Sequence, residues 1–226
     1  MDRSQKTKAL PVARSIQFLA GALAATAALF NWASPAAAHP HVWVTAASEL
    51  IYAPDGSVTS VRHAWTFDDM FSTYALQGLP TKKKGVYTRE ELAPLAQTNV
   101  ESLKEYGFFT FAKVDGKKQP FMDPTDYFLE YKNAALVLHF TLPLKTPIKT
   151  TRLAVEIFDP TYFVDFALQK QDPIHLVGAP AACTMAIQRP SDGTAGAQKL
   201  GEASFLNGSN SNYGVMFANK ITVDCP

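Results

Sequence analysis

Two runs near the front of the chain alternate apolar and polar residues with the two-residue period of a pleated strand. The first is His41 to Tyr52 ("HVWVTAASELIY") and the second Val58 to Phe67 ("VTSVRHAWTF"). This alternation lines one face of a strand with apolar side chains and scatters them around a helix, so it constrains both segments to β structure. The "APDGS" between them supplies the Pro, Asp and Gly of a tight reversal, and the pair predicts a β-hairpin. Further strand-like runs follow: "FFTFAKV", "FLEYKN", "ALVLHFTLPL", "RLAVEIFD", "TYFVDFALQ", and a last pair around Cys183 and Val215 to Val223. The period changes once. "DDMFSTYALQ" has an acidic start and a helical apolar spacing. "TREELAPLAQTNVESLKEYG" offers Thr88 as N-cap, Glu91 at the capping-box position and Gly107 as a C-terminal stop, with Pro94 a site for a kink. The expected class is α+β: mainly antiparallel β, sandwich-like, with a helix-loop-helix inserted at about residues 68–107.

The chain opens with Arg3, Lys6, Lys8 and Arg14, an uncharged run from Ile16 to Phe30, and the small-residue stretch Ala33 to Ala38. A basic region, a short apolar core and an Ala-x-Ala site describe a secretory signal over residues 1–38, and the run is too short and Ala-rich for a membrane span. Ala36 and Ala38 place the cut before His39; a cut after Ala36, using Ser34 and Ala36, also satisfies the rule. Residues 39–226 would then form a single exported, periplasmic β-rich domain with no membrane span. Its only cysteines, Cys183 and Cys225, are expected to form one disulfide in an oxidising compartment. The Gly-, Ser- and Asn-rich stretch at about 190–213 reads as a flexible loop.

With 21 Lys and Arg against 20 Asp and Glu, the chain has no basic footprint for nucleic acid or anionic membrane. No Ser/His/Asp, paired-carboxylate or phosphate-loop signature supports a hydrolase or transferase, so the expectation is a protein that is not an enzyme.

The segment "PTKKKGVYTREE" has the outline of an EF-hand loop. Gly85 stands where the sixth position turns sharply and Glu91 where the twelfth supplies a bidentate carboxylate. The first, third and fifth positions are Pro80, Lys82 and Lys84, which excludes calcium. The resemblance is therefore to a degenerate EF-hand, in which a lysine ammonium could pair with Glu91.

Among the five histidines, His139 alternates with Leu136, Leu138 and Phe140 and is expected to face solvent; His175 is placed in a loop. His63 shares a face with Trp65 and Phe67 and reads either as a satisfied core histidine or as a ligand. His39 and His41 differ, because cleavage before His39 would gather an α-amine and two imidazoles within three residues. Both kinds of nitrogen lose their protons to a metal near neutral pH. Pro40 has no N–H, which blocks the square-planar chelate that needs a deprotonated second amide. The remaining amine–imidazole set suits Ni²⁺, Co²⁺, Zn²⁺ or Cu²⁺. Asp68, Asp69, Asp159 or His63 could complete such a site, although Asp159 in Asp-Pro-Thr-Tyr also reads as a turn residue capping its own backbone.

The segments "AHPHVWV", "WTFDDMFS", "TREEL", "FFTFAKVDGK", "LVLHFTLPL", "VEIFDPTYFVDF" and the late cysteine pair together resemble one bacterial family. It is a family of unknown function labelled as the periplasmic component of an uncharacterised ABC-type transport system. Its members are often encoded beside nickel/cobalt-type membrane transporters, which implies a role in handling transition metals. Many similar sequences carry an acidic, calcium-type loop where this chain has "PTKKKG", and that role does not carry over. The expected function is a periplasmic accessory protein that binds a divalent transition metal and sequesters it or delivers it to an inner-membrane transporter. The alternatives are a non-metal adaptor of a transport system, and a histidine-brace copper enzyme with Tyr162 as an axial group.

Overall fold

The computed structural model describes residues 40–190 and 213–226. The signal segment, its cut site, His39 and nearly all of the loop at about 190–213 lie outside the described residues.

The hairpin forms as the alternation requires: β1 (Val42–Tyr52) pairs antiparallel with β2 (Val58–Phe67), and even-numbered residues of β1 are buried throughout. Asp55 accepts from the Ser57 N–H (2.9 Å) and hydroxyl (2.7 Å), while Gly56 takes the left-handed conformation (φ 81°) that the reversal needs. The chain then runs through α1 (Asp69–Ala75), α2 (Arg89–Lys104) and a 3₁₀ turn, Gly107–Phe109. It continues as β3 (Thr110–Val114), β4 (Lys117–Gln119), β5 (Asp126–Lys132), β6 (Ala135–Ile148) and β7 (Arg152–Ile157). Last come β8 (Val164–Leu168), β9 (Ile174–Val177), β10 (Thr184–Gln188) and β11 (Asn219–Asp224).

Two sheets result. One has the order β5-β6-β2-β1, with β8 and β9 both beside β1; the other has the order β10-β11-β7-β3-β4. The fold is α+β and sandwich-like, with antiparallel pairing among the described strands except along the edge of β1 opposite β2. There β8 pairs parallel with Val42–Ala46 and β9 parallel with Ser48–Ile51, so the chain meets the same strand twice. The buried core runs between the sheets, from Trp65, Leu138 and Phe140 to Val155, Ile157 and Ile221. Asn219 of β11 donates to the Phe166 carbonyl of β8 (2.6 Å), tying the sheets directly.

Helix α2 buries Leu92, Ala96 and Val100, a stripe at four-residue spacing, and packs against β5. Its start is a capping box in which the Thr88 hydroxyl accepts from Glu91 N–H and the Glu91 carboxylate accepts from Thr88 N–H. The other Glu91 oxygen accepts the backbone N–H of Lys82 (2.8 Å). The loop is thus closed onto Glu91 by the Lys82 amide, and the Lys82 charge adds an attraction to the same carboxylate. Gly85 turns with φ 76°, and the Thr81 hydroxyl gathers the loop by donating to the Val86 carbonyl, with the Lys83 carbonyl 3.1 Å away.

Several local expectations shift. Gly107 is left-handed as a stop should be, but Phe108 and Phe109 follow it with positive φ before the chain enters β3. The final strand begins at Asn219, not Val215, because residues 213–217 form a 3₁₀ turn packed on the Asp159–Pro160 backbone. A Cβ on Gly214 would overlap the Asp159 carbonyl oxygen, so only glycine fits there. His175 lies in edge strand β9, still exposed. His139 is less open than its alternation implied: it stacks on Phe128 at 4.5 Å, beside Glu130.

Candidate functional site at the head of β1

His41 immediately precedes β1, exposed on the outer face that also carries Trp43 and Thr45. Its backbone N–H donates to the Phe163 carbonyl (2.9 Å) and its ring lies 4.8 Å from the Phe163 ring. The His-Pro-His lead-in is therefore anchored at its second histidine to the loop that enters β8.

Asp68 follows β2 at the same end of the sheet. One carboxylate oxygen accepts the Trp43 N–H (2.9 Å), while the Asp68 N–H donates to the Trp43 carbonyl (2.9 Å). The side chain stands in for a backbone acceptor one step past the strand. Its other oxygen accepts Phe71 N–H (2.8 Å) and caps α1. A single carboxylate thus ends β2 and starts α1. Ser72, fully buried one turn on, bonds the Asp68 carbonyl and receives Leu136 N–H, fixing α1 to β6. Asp68→Ala should lower stability by about 2 kcal/mol, since it strips the cap and leaves Trp43 N–H without its acceptor. Urea denaturation checks this. Asp68→Asn, which keeps one good acceptor oxygen, should fall between; an Ala variant with an unchanged midpoint would show that neither bond matters. Asp69 lies in the exposed first turn of α1.

Asp159 is 2 % exposed and its carboxylate is fully engaged. It accepts from Thr161 N–H and hydroxyl (both 2.8 Å) and from Val164 N–H (3.0 Å), which folds Asp-Pro-Thr-Tyr into its turn. His63 is 1 % exposed, between the sheets. Its Nδ1 lies 2.8 Å from the Ser48 hydroxyl and its Nε2 3.2 Å from that of Thr110. Thr110 spends its only proton on the Phe108 carbonyl (2.9 Å), so Nε2 must be the donor and Nδ1 the acceptor from Ser48. The result is a neutral relay, Ser48 to His63 to Thr110 to Phe108, reaching from the hairpin to the second sheet. Burial pushes the His63 pKa down to about 3.

Among the described residues no three His, Cys, Asp or Glu side chains converge closely enough to hold a metal ion. His41, Asp68 and Asp69 lie at one end of the first sheet, whereas His63 is committed inside the core. Asp165 was not singled out by the sequence. It is the in-register neighbour of Trp43 on β8, so Asp68 and Asp165 flank Trp43 from either side, and burial pushes the Asp165 carboxyl above its usual range. Its only signal was an Asp at an alternating position in "VDF". Ser48 and Thr110 were also missed, since nothing local links a histidine to hydroxyls 15 and 47 residues away.

Cys183 and Cys225 form the expected disulfide, compatible with an exported protein. No helix among the described residues is long and apolar enough to cross a membrane. Two relatives bear on the family. An uncharacterised protein of Haemophilus influenzae (strain ATCC 51907 / DSM 11121 / KW20 / Rd) is 24% identical over 83% of this chain and 91% of its own length. An "uncharacterized 15.5 kDa protein in trpE 3'region" of Spirochaeta aurantia is 29% identical over 41% of this chain, which spans 66% of that protein. Residues 24–225, and with them every element described above, match the family described as "protein of unknown function (DUF1007)", and the chain belongs to that family.

Proposed function

We propose that this is a periplasmic accessory protein that binds one divalent transition metal at its His-Pro-His lead-in and sequesters it or passes it to an inner-membrane transporter. The observation that carries the reading is the placement of His41: exposed, at the head of β1, and anchored by its own amide to Phe163. A chain cut before His39 would present its amine and first imidazole two residues ahead of that anchor. The described carboxylates are largely engaged in capping and turn bonds, so the nitrogen donors of His39 and His41 form the core of the set. Asp69 is an exposed acidic side chain at the same end of the sheet. Ni²⁺, Co²⁺, Zn²⁺ and Cu²⁺ suit such donors.

The test is native mass spectrometry of protein exported under its own signal, followed by titration with Ni²⁺, Cu²⁺ and Zn²⁺. The expected result is a chain starting at His39 that holds one metal ion. Affinity should fall at least about tenfold in His41→Ala, or when the amine is blocked, and also on acidification that protonates imidazole. A chain that starts earlier, or stays metal-free, would overturn the proposal and make a non-metal adaptor the better reading.

A further inference from the structure

Beneath the head of β1 lies a cavity of about 380 Å³, within the range of small-molecule sites. Its walls are Val44 of β1, Trp65 and Phe67 of β2, Phe71 of α1, and Phe109 and Phe166 beyond. Asn99 and Ser102 of α2 and Thr161 of the Asp159 turn contribute polar groups to its lining.

Three observations mark this space as more than a packing gap. Trp65 is 1 % exposed, yet its indole N–H has no acceptor among the described residues. A buried donor in that state is uncommon, and an acceptor brought by a ligand would satisfy it. Next, non-glycine residues with left-handed backbone stand beside the cavity: Phe109 in its wall, Phe108 before it, and Tyr162 next to the lining residue Phe163. Bulky residues hold that conformation only where the surroundings impose it, and such positions cluster at ligand sites. Finally, among the described residues the lining has no Lys, Arg or His, and its one charged group there, Asp159, already accepts three hydrogen bonds. An anion would find no counter-charge there, and a cation would find a carboxylate already occupied.

From these we infer that the cavity is a binding site for an uncharged, mainly apolar small molecule carrying a hydrogen-bond acceptor, such as a carbonyl oxygen, to which Trp65 Nε1–H donates. Aromatic walls suit a flat ring or a short chain. His41 and Asp69, the described donors of the proposed metal site, do not line the cavity, so it stands or falls separately from the metal reading.

The test uses neutral probes on the purified protein. N-phenyl-1-naphthylamine, which brightens in apolar surroundings, should bind saturably, one molecule per chain. Ser102→Trp, at an exposed position of the lining, should weaken binding at least about tenfold, whereas Gln97→Trp on the same helix, outside the lining, should not. In the unmodified protein, 2-acetylnaphthalene should displace the probe better than 2-ethylnaphthalene. Only the acetyl compound should move the Trp65 indole N–H resonance downfield, that resonance being assigned by its loss in Trp65→Phe. No saturable binding, or binding equally insensitive to both tryptophan substitutions, would overturn the site. If Ser102→Trp fails to fold, an unmoved Trp65 resonance in the unmodified protein overturns it instead. Equal displacement by both naphthalenes would overturn the assignment of Trp65 as the donor.

Discussion

His63→Ala should cost about 4 kcal/mol of stability at pH 7.5, near the upper end for a single core substitution. It empties an aromatic-sized volume between His63's neighbours Trp65 and Phe140 and strands the Ser48 hydroxyl in the core. His63→Phe keeps most of the volume and should cost less, about 1–3 kcal/mol, because the loss is then mainly of the hydrogen-bond relay. The two substitutions together separate packing from polarity.

The same residue makes stability depend on pH. In the unfolded chain His63 takes up a proton near the ordinary value of 6.5, while the folded chain resists protonation until about 3. Between those values the unfolded state binds more protons, so stability falls as pH drops, by about 1.4 kcal/mol per pH unit from this group alone. Above 6.5 both states are neutral at His63 and its contribution is constant. Denaturation of the native protein and His63→Phe from about pH 7.5 to 4.5 should therefore give converging curves, with the substitution costing less at the acid end. Curves that stay parallel would show that the relay does not hold His63 neutral.

Loss of the Cys183–Cys225 disulfide is the second large effect. The bond closes a loop with a sequence separation of 42, for which chain entropy alone gives about 4 kcal/mol. Its position sharpens the consequence. Thr184 pairs with Asp224, so the disulfide clamps the ends of β10 and β11 that are farthest from their long connection. Strand β10 is the edge of its sheet among the described residues, exposed or half-buried along its length, with β11 as its only described partner. Beyond the clamp it is held by Arg189, whose guanidinium donates to the carbonyls of Leu168 and Gln169 (2.6 and 2.7 Å). The Cys183→Ser/Cys225→Ser protein should unfold with about 3–4 kcal/mol less stability. Hydrogen exchange should show Thr184–Gln188 losing protection before β11 and β7 do. If protection falls evenly across the second sheet, the clamp acts on the whole domain and not on its edge.

The class of fold and most of its elements were legible in the amino-acid order. Alternation in β1 and β2, the Asp55-Gly56 reversal, the Thr88–Glu91 capping box and the stripe on α2 are local signals, set by neighbours a few residues apart. Their physical causes, pleat, turn and cap, act over the same short range. The disulfide was legible because only two cysteines exist to pair. Other outcomes depend on which distant segments meet, and only the packed chain settles them. The parallel return of β8 and β9 to one edge, the use of Asp68 to bridge Trp43 and α1, and the enclosure of His63 between Ser48 and Thr110 have no local signature. A histidine in an alternating strand looks the same whether its nitrogens will face a metal or two hydroxyls. The partner that distinguishes them is brought in by the packing of one sheet on the other.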